Sequence, residues 1–271
     1  MTSWQKAVKY AAMALAIIMT VSIIGGIVSA VTSFAFAFGL TDEVGEMRTY
    51  EVKDGISHLD IKIKGAALDV KLGESFSVES NIVNLSVSDL GGTLSVKQGG
   101  SFMWGRSSSG RVTVTVPKET VFDRVSISAG AGKVTIDSLS AKHLKLDLGA
   151  GEVKIKSLVA TESADIDGGA GKVTVESGEF NKLDLDMGVG EFNLTARLSG
   201  RNTLDMGIGK ANITLVGKSD EYRIDVDKGI GASKIDGTSV GSGTYGNGDT
   251  EVEIDGGIGA MEISFKEITD Q

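Results

Sequence analysis

A Gly-x-Gly triplet returns seven times in the second half of this chain, and it restricts the possible folds more than any other feature. The triplets are Gly130-Ala131-Gly132, Gly149-Ala150-Gly151, Gly169-Ala170-Gly171, Gly188-Val189-Gly190, Gly207-Ile208-Gly209, Gly229-Ile230-Gly231 and Gly257-Ile258-Gly259. Their spacings are 19, 20, 19, 19, 22 and 28 residues. Six carry an aspartate two positions before the first glycine: Asp147, Asp167, Asp186, Asp205, Asp227 and Asp255. A period near 20 residues marks a repeat architecture in which each unit buries its apolar side by stacking on the next.

Alternation within one unit shows what is stacked. Leu183, Leu185 and Met187 alternate with Asp184 and Asp186, then Phe192 and Leu194 alternate with Glu191 and Asn193. Period-2 alternation is a half-buried strand, so each unit holds two strands. The apolar parity flips across Gly190, which requires a bend or bulge, and glycine supplies the backbone for it. The middle residue of each triplet keeps the inward parity and is expected to fill the corner of the core. The reading is all-β: a right-handed β-solenoid of the parallel β-helix kind, with rungs of about 20 residues. Stacking also predicts that Lys133, Glu152, Lys172, Glu191 and Lys210 lie one above another with alternating charge.

Residues 121–271 hold the regular repeats, and 51–120 are less ordered. Strand-like runs in the earlier part fall at His58–Ile63, Leu68–Leu72, Ser77–Glu79, Leu85–Val87, Leu94–Val96 and Arg111–Val116. They read as irregular opening rungs that blunt an exposed end. The closing stretch Met261–Gln271 is expected to cap the other end.

Ahead of the repeats, Tyr10–Leu40 contains no charged residue. About 20 apolar residues suffice to cross a bilayer as a helix. The run therefore predicts one N-terminal transmembrane helix centred on Met13–Ser33, in contact with membrane lipid, with 1–9 as a cytoplasmic stub and 41–50 as a linker. Lys6 and Lys9 precede the run and Asp42, Glu43 and Glu46 follow it, which places the C-terminal domain outside the cell. A cleaved signal peptide ending near Val28-Ser29-Ala30 or Ala35-Phe36-Ala37 is the rival, but its apolar core is normally half this length.

The chain has 27 Lys and Arg against 36 Asp and Glu, for a net charge of −9. Nucleic acid is thereby disfavoured as a partner, since phosphate binding rests on basic clusters. With no cysteine, disulfides, thiolate metal sites and cysteine nucleophiles are excluded.

The run Val112-Thr113-Val114-Thr115-Val116-Pro117, then Phe122-Asp123-Arg124-Val125-Ser126-Ile127, then the repeated segments GAGKVTI and GAGEVKI, resembles a bacterial family of β-strand-repeat proteins. Its members are known as "putative adhesins" or as domains of unknown function. The resemblance spans roughly residues 50–266. It implies a β-solenoid, an envelope location and, for some members, proximity to envelope-stress regulation. It brings no catalytic residues.

In stacked rungs the aspartates Asp147, Asp167, Asp186, Asp205, Asp227 and Asp255 line one edge, with Asp165, Asp184, Asp225 and Glu253 beside them. Neighbouring unit charges about 4.8 Å apart in water repel by about 0.9 kcal/mol, so something must offset the row. One reading has each aspartate accepting hydrogen bonds from the glycine-turn amides. The other has a row of Ca²⁺ ions held by these six aspartates. Calcium β-rolls place aspartate after the glycines at nine-residue spacing, so their ligand assignment does not transfer. A phosphate loop is excluded, because Gly132-Lys133-Val134 lacks the hydroxyl and leads into a strand. His58 and His143 are too far apart in the repeat to act together. Acids at i and i+2 on many rungs form a face pattern rather than one placed glycosidase pair.

Phe102, Met103 and Trp104, set among glycine and serine, are expected either to cover the solenoid end or to touch a partner. Taken together, these features predict a noncatalytic membrane-anchored module without a cofactor, binding an envelope protein or polymer. An accessory regulator of envelope-stress signalling is the alternative, and a carbohydrate-active enzyme comes third.

Overall fold

The computed structural model describes residues 44–99 and 110–267. Fifteen strands join one sheet system: β1 Val44–Glu51, β2 His58–Ile63, β3 Ala67–Gly73, β4 Ser77–Ile82, β5 Leu85–Leu90, β6 Thr93–Gln98, β7 Arg111–Pro117, β8 Val121–Asn181, β9 Leu183–Ser199, β10 Arg201–Val216, β11 Tyr222–Asp227, β12 Ile230–Ile235, β13 Thr238–Ser239, β14 Gly243–Gly246 and β15 Thr250–Lys266. The long β8 runs unbroken through three Gly-Ala-Gly corners, so the chain bends without leaving the ladder.

Rungs stack in parallel and in register. Leu185 pairs with Ile166 and Leu204, and Gly190 with Gly171 and Gly209. The expected alternation is observed: Leu183, Leu185 and Met187 are buried before the corner, Phe192 and Leu194 after it. Gly190 has φ +141°, and a Cβ there would collide with the carbonyl oxygen of Gly171. Glycine is therefore required twice over, for its backbone angle and for the close approach of stacked backbones.

The apex of the corner differs from expectation. Its middle residue points outward: Ala131 and Ala150 are exposed, Val189 and Ile208 half-buried, and Ile258 and Ile230 are 39% and 54% exposed. The bend is convex, and Met187 and Phe192 on either side fill the core behind it.

Both ends of the stack break sequence order. Near the start, β2 and β3 form a rung between β8 and the later β6 and β7. At the other end β15 lies between β10 and the earlier β11 and β12. Met261–Ile263 is thus internal, paired on both sides, rather than part of the expected cap. The ends are closed by antiparallel strands instead: β4, β5 and β1 at one, β13 and β14 at the other. Closure by strands of opposite direction and short length is how a sheet avoids an open edge.

The transmembrane helix expected over residues 10–40 lies outside the described residues, as do Phe102, Met103 and Trp104. Among the described residues no helix is long and apolar enough to cross a membrane, and one short 3₁₀ turn, Ser219–Glu221, interrupts the strands. The expected single-pass location is set aside on this finding. Period-2 alternation with glycine corners commits the described backbone to lateral strand pairing, which leaves no apolar helix.

Candidate functional site

Three parallel columns of side chains run along the outside of the Gly-x-Gly corner. On one flank, Lys133 Nζ meets Glu152 Oε2 at 3.1 Å and Lys172 Nζ meets Glu191 Oε1 at 3.2 Å. Lys210 pairs in register with Glu191, and the column then ends in Ala260 and Ala232. Glu191 is held below the usual carboxylate range by a hydrogen bond from Asn193, then by Lys172 and the more distant charge of Lys210. The alternating ladder expected from stacking is present.

The apex column is the apolar ridge of Val189, Ile208, Ile258 and Ile230, continuous because these residues pair in register. On the far flank the aspartates also stack, but in spatial rather than sequence order: Asp147, Asp167, Asp186, Asp205, Asp255, Asp227. Beside them run Lys145, Asp165, Asp184, Thr203, Glu253 and Asp225. An open groove of about 490 Å³ follows this flank past Asp147, Asp167 and Asp186.

No turn amide bonds to these aspartates among the described residues. The corner stays inside the ladder, so its amides find carbonyls on the adjacent rung, as Ala131 N does with Lys64 O at 3.0 Å. Charge is offset another way at one end only. Lys145 Nζ lies 2.9 Å from Asp165, 3.5 Å from Asp167 and 3.6 Å from Asp147. The hydrogen bond to Asp165, followed by the charges of all three aspartates, holds the Lys145 ammonium well above its ordinary range.

Farther along, Asp184, Asp186, Asp205, Asp225, Asp227, Glu253 and Asp255 make no ion pair among the described residues. Asp227 Oδ1 accepts from the Ser242 hydroxyl at 3.3 Å. Asp205 is the most constrained: its Oδ1 is buried without a hydrogen-bond partner. Burial first, then the neighbouring charges of Asp255 and Asp186, push its carboxyl up. No group of three or more His, Asp or Glu among the described residues is placed to hold a metal ion. The two histidines sit apart, with His58 Nδ1 2.9 Å from Ser57 Oγ and His143 Nδ1 2.9 Å from Ser163 Oγ.

Two buried amides that sequence reasoning missed hold the rungs together where the chain steps between them. Asn202 Oδ1 accepts from Leu183 N at 3.0 Å, while its Nδ2 donates to Glu251 O at 3.0 Å and to Ser199 O and Gly200 O at 3.3 Å. Gln98 Oε1 accepts from Lys64 N at 2.8 Å and Gly65 N at 3.3 Å, standing in for a rung at the corner stack's end. The one available signal was a polar residue at an inward-parity position.

Parallel rungs on glycine corners, with repetitive outer columns, define a solenoid of the β-strand-repeat class. Its long regular faces carry stacked charges and a stacked apolar ridge. The chain belongs to the Toastrack family, DUF4097, whose sequence pattern matches residues 56–256. No curated protein matches it in sequence. Among solved structures it is similar to a "putative cell adhesion protein" of Clostridium sporogenes, at 14% identity and a TM-score of 0.38, covering 82% of this chain and 99% of that one. It is also similar to a "putative adhesin" of Bacteroides fragilis, at 12% identity and TM-score 0.35, covering 83% and 100% of the two chains. A "putative adhesin" of Parabacteroides distasonis matches at 11% identity and TM-score 0.36, covering 84% and 99%.

Proposed function

We propose that this chain is a noncatalytic, adhesin-like binding module that engages a protein or polymer through the far half of the corner face. The observation that carries the reading is the set of unpaired carboxylates, Asp184, Asp186, Asp205, Asp225, Asp227, Glu253 and Asp255, lying beside the ridge of Val189, Ile208, Ile258 and Ile230. An acidic surface next to exposed apolar side chains favours a partner with complementary cationic and apolar groups. Asp165 contributes less, because its carboxylate is already held by Lys145 at 2.9 Å. The rungs repeat this chemistry along the stack, which suits many weak contacts to one extended partner.

The test measures retention of labelled full chain on intact bacterial cells and on purified cell-wall polymers. The variant Asp184→Asn/Asp186→Asn/Asp225→Asn/Glu253→Gln is expected to lose about tenfold in affinity, some 1.4 kcal/mol spread over four rim charges. Equal binding by variant and native chain would overturn the assignment of the face. Release of reducing ends from those polymers would sink the noncatalytic reading.

A further inference from the structure

The slot that holds β15 has two walls of nearly the same chemistry. On one side β15 pairs with β10, from Arg201↔Glu251 to Val216↔Lys266. On the other it pairs with β11 and β12, from Tyr222↔Thr250 to Ile235↔Ile263. Across that second wall every residue faces its equivalent 28 positions later: Asp227 and Asp255, Ile230 and Ile258, Gly231 and Gly259, Ile235 and Ile263. The β11–β12 rung shares with β15 the aspartate, isoleucine and glycine positions of the corner, while Arg223, Lys228, Ser233 and Lys234 stand where β15 has Glu251, Gly256, Met261 and Glu262. Register is set by those shared positions, so the β11–β12 rung can take the same register on β10, at the cost of setting Arg223 against Arg201 where β15 sets Glu251.

Beyond the ladder, the polar contacts on β15 come from the walls and the residues just past their ends. The Arg201 guanidinium lies 2.7 Å from the Glu251 carboxylate and that of Arg223 3.3 Å from it. Asn202 donates to Glu251 O, Gly217 N to Lys266 O at 2.9 Å, and Phe265 N to Asp236 Oδ1 at 3.2 Å. A β15 strand arriving from another molecule meets each of these groups unchanged. The link to the rest of the chain is the connector 247–249, whose Gly248 N donates to Tyr222 O at 3.1 Å.

We infer that the slot between β10 and β11–β12 is an exchange interface for β15 of a second copy of this chain, giving a reciprocal pair of molecules. The contacts inside the slot are the same in the closed and exchanged forms, so the balance between them rests on the connector. A short connector gives an effective local concentration on the order of millimolar, so exchange is captured by folding chains together at high concentration. Competition adds to this. When β11–β12 closes on β10 first, its own β15 is excluded and an open slot elsewhere is the matching acceptor. The inference is independent of the proposed binding face.

Thr214 on β10 and Ser264 on β15 give a direct readout, since their hydroxyl oxygens are 3.1 Å apart and the chain has no cysteine of its own. Parallel neighbours stand about 4.8 Å apart, within the span a disulfide bridges. Full chain carrying only Thr214→Cys is unfolded, mixed with full chain carrying only Ser264→Cys, refolded and oxidised. The expected product is a covalent heterodimer whose yield rises at least about fivefold between ~10 μM and ~1 mM chain, as an intermolecular step requires. A control pair, Glu162→Cys with Ser264→Cys, reports random oxidation. The double variant T214C/S264C, refolded alone at ~10 μM, is expected to close an internal disulfide and stay monomeric. Heterodimer no more abundant than in the control pair, at any concentration, overturns the proposal. Failure of the double variant to close internally overturns it too, because the slot would then not hold β15 against β10.

Discussion

Asn202 is the side chain whose removal tests most directly how the rungs are joined. It is fully buried in a column where the adjacent rungs place Leu183 and Val252. The chain steps between rungs here, with Lys182 at φ +54° and Gly200 at φ +70°, and the Asn202 amide bridges the break. Two of its bonds are near 3.0 Å and join the interior of three successive rungs: Leu183 N on one side and Glu251 O on the other. Each such bond contributes about 1–1.5 kcal/mol, and truncation also leaves a small hole, so Asn202→Ala is expected to cost about 3 kcal/mol. For a domain of this size that lowers Tm by roughly 10 °C. Asn202→Leu restores the volume but not the bonds and is expected to cost nearly as much. Asn181→Ala is the matched control, because its amide makes one bond, to Thr161 O at 3.1 Å, in a more exposed setting. Its expected cost is below ~1 kcal/mol. Thermal and urea unfolding followed by far-ultraviolet circular dichroism measures all three variants. Equal losses for Asn202→Ala and Asn181→Ala, or a stable Asn202→Leu, would refute the idea that this amide replaces missing ladder bonds.

Three further outcomes follow from the corner face. Gly190→Ala adds a Cβ against Gly171 O at φ +141°, so it is expected to cost about 3 kcal/mol or more in urea unfolding, and a near-neutral result would show that the rungs separate easily. Asp205 has a folded-state pKa raised above its unfolded value by burial and by Asp255 and Asp186, so its ionisation destabilises the fold as pH rises past the ordinary aspartate range. Asp205→Asn should therefore raise Tm at pH 7 and lose that advantage once the native carboxyl is protonated in acid, and a Tm difference independent of pH would contradict the assignment. Lys145→Met removes the cation shared by Asp147, Asp165 and Asp167 at an exposed site, where a pair is worth ~1 kcal/mol or less. The loss should shrink in high salt, as screening requires, and a salt-independent loss would point to packing of the lysine stem instead.

The early strands show how much local pattern carries. The runs at His58–Ile63 and Arg111–Val116 match β2 and β7 to within a residue, because alternation and turn residues are read over a few positions. The Lys133, Glu152, Lys172, Glu191, Lys210 ladder was legible for the same reason: one repeat period places each charge over the next. The orientation of Val189 and Ile208 was not legible. Parity counts assume an unbroken pleat, and the chain bends across each Gly-x-Gly triplet, with the second glycine at φ near +140°. The partners of the turn amides were not legible either, because the neighbouring rung rather than the local aspartate supplies their acceptors, as Lys64 O does for Ala131 N.

By itself the amino-acid sequence determined the strand material, the glycine corners, the period and the acidic columns, because each depends on backbone angles and side-chain polarity within a few residues. Only the tertiary structure decided which rung lies on which. β11–β12 and β15 carry the same Asp-x-Gly-Ile-Gly pattern, so that pattern does not choose between them. The choice of β15 for the inner place rests on contacts between distant parts of the chain: Asn202 with Glu251, Gly217 with Lys266, and β13 and β14 closing the outer rung. That same near-equivalence of two rungs is why the order was hidden in the sequence.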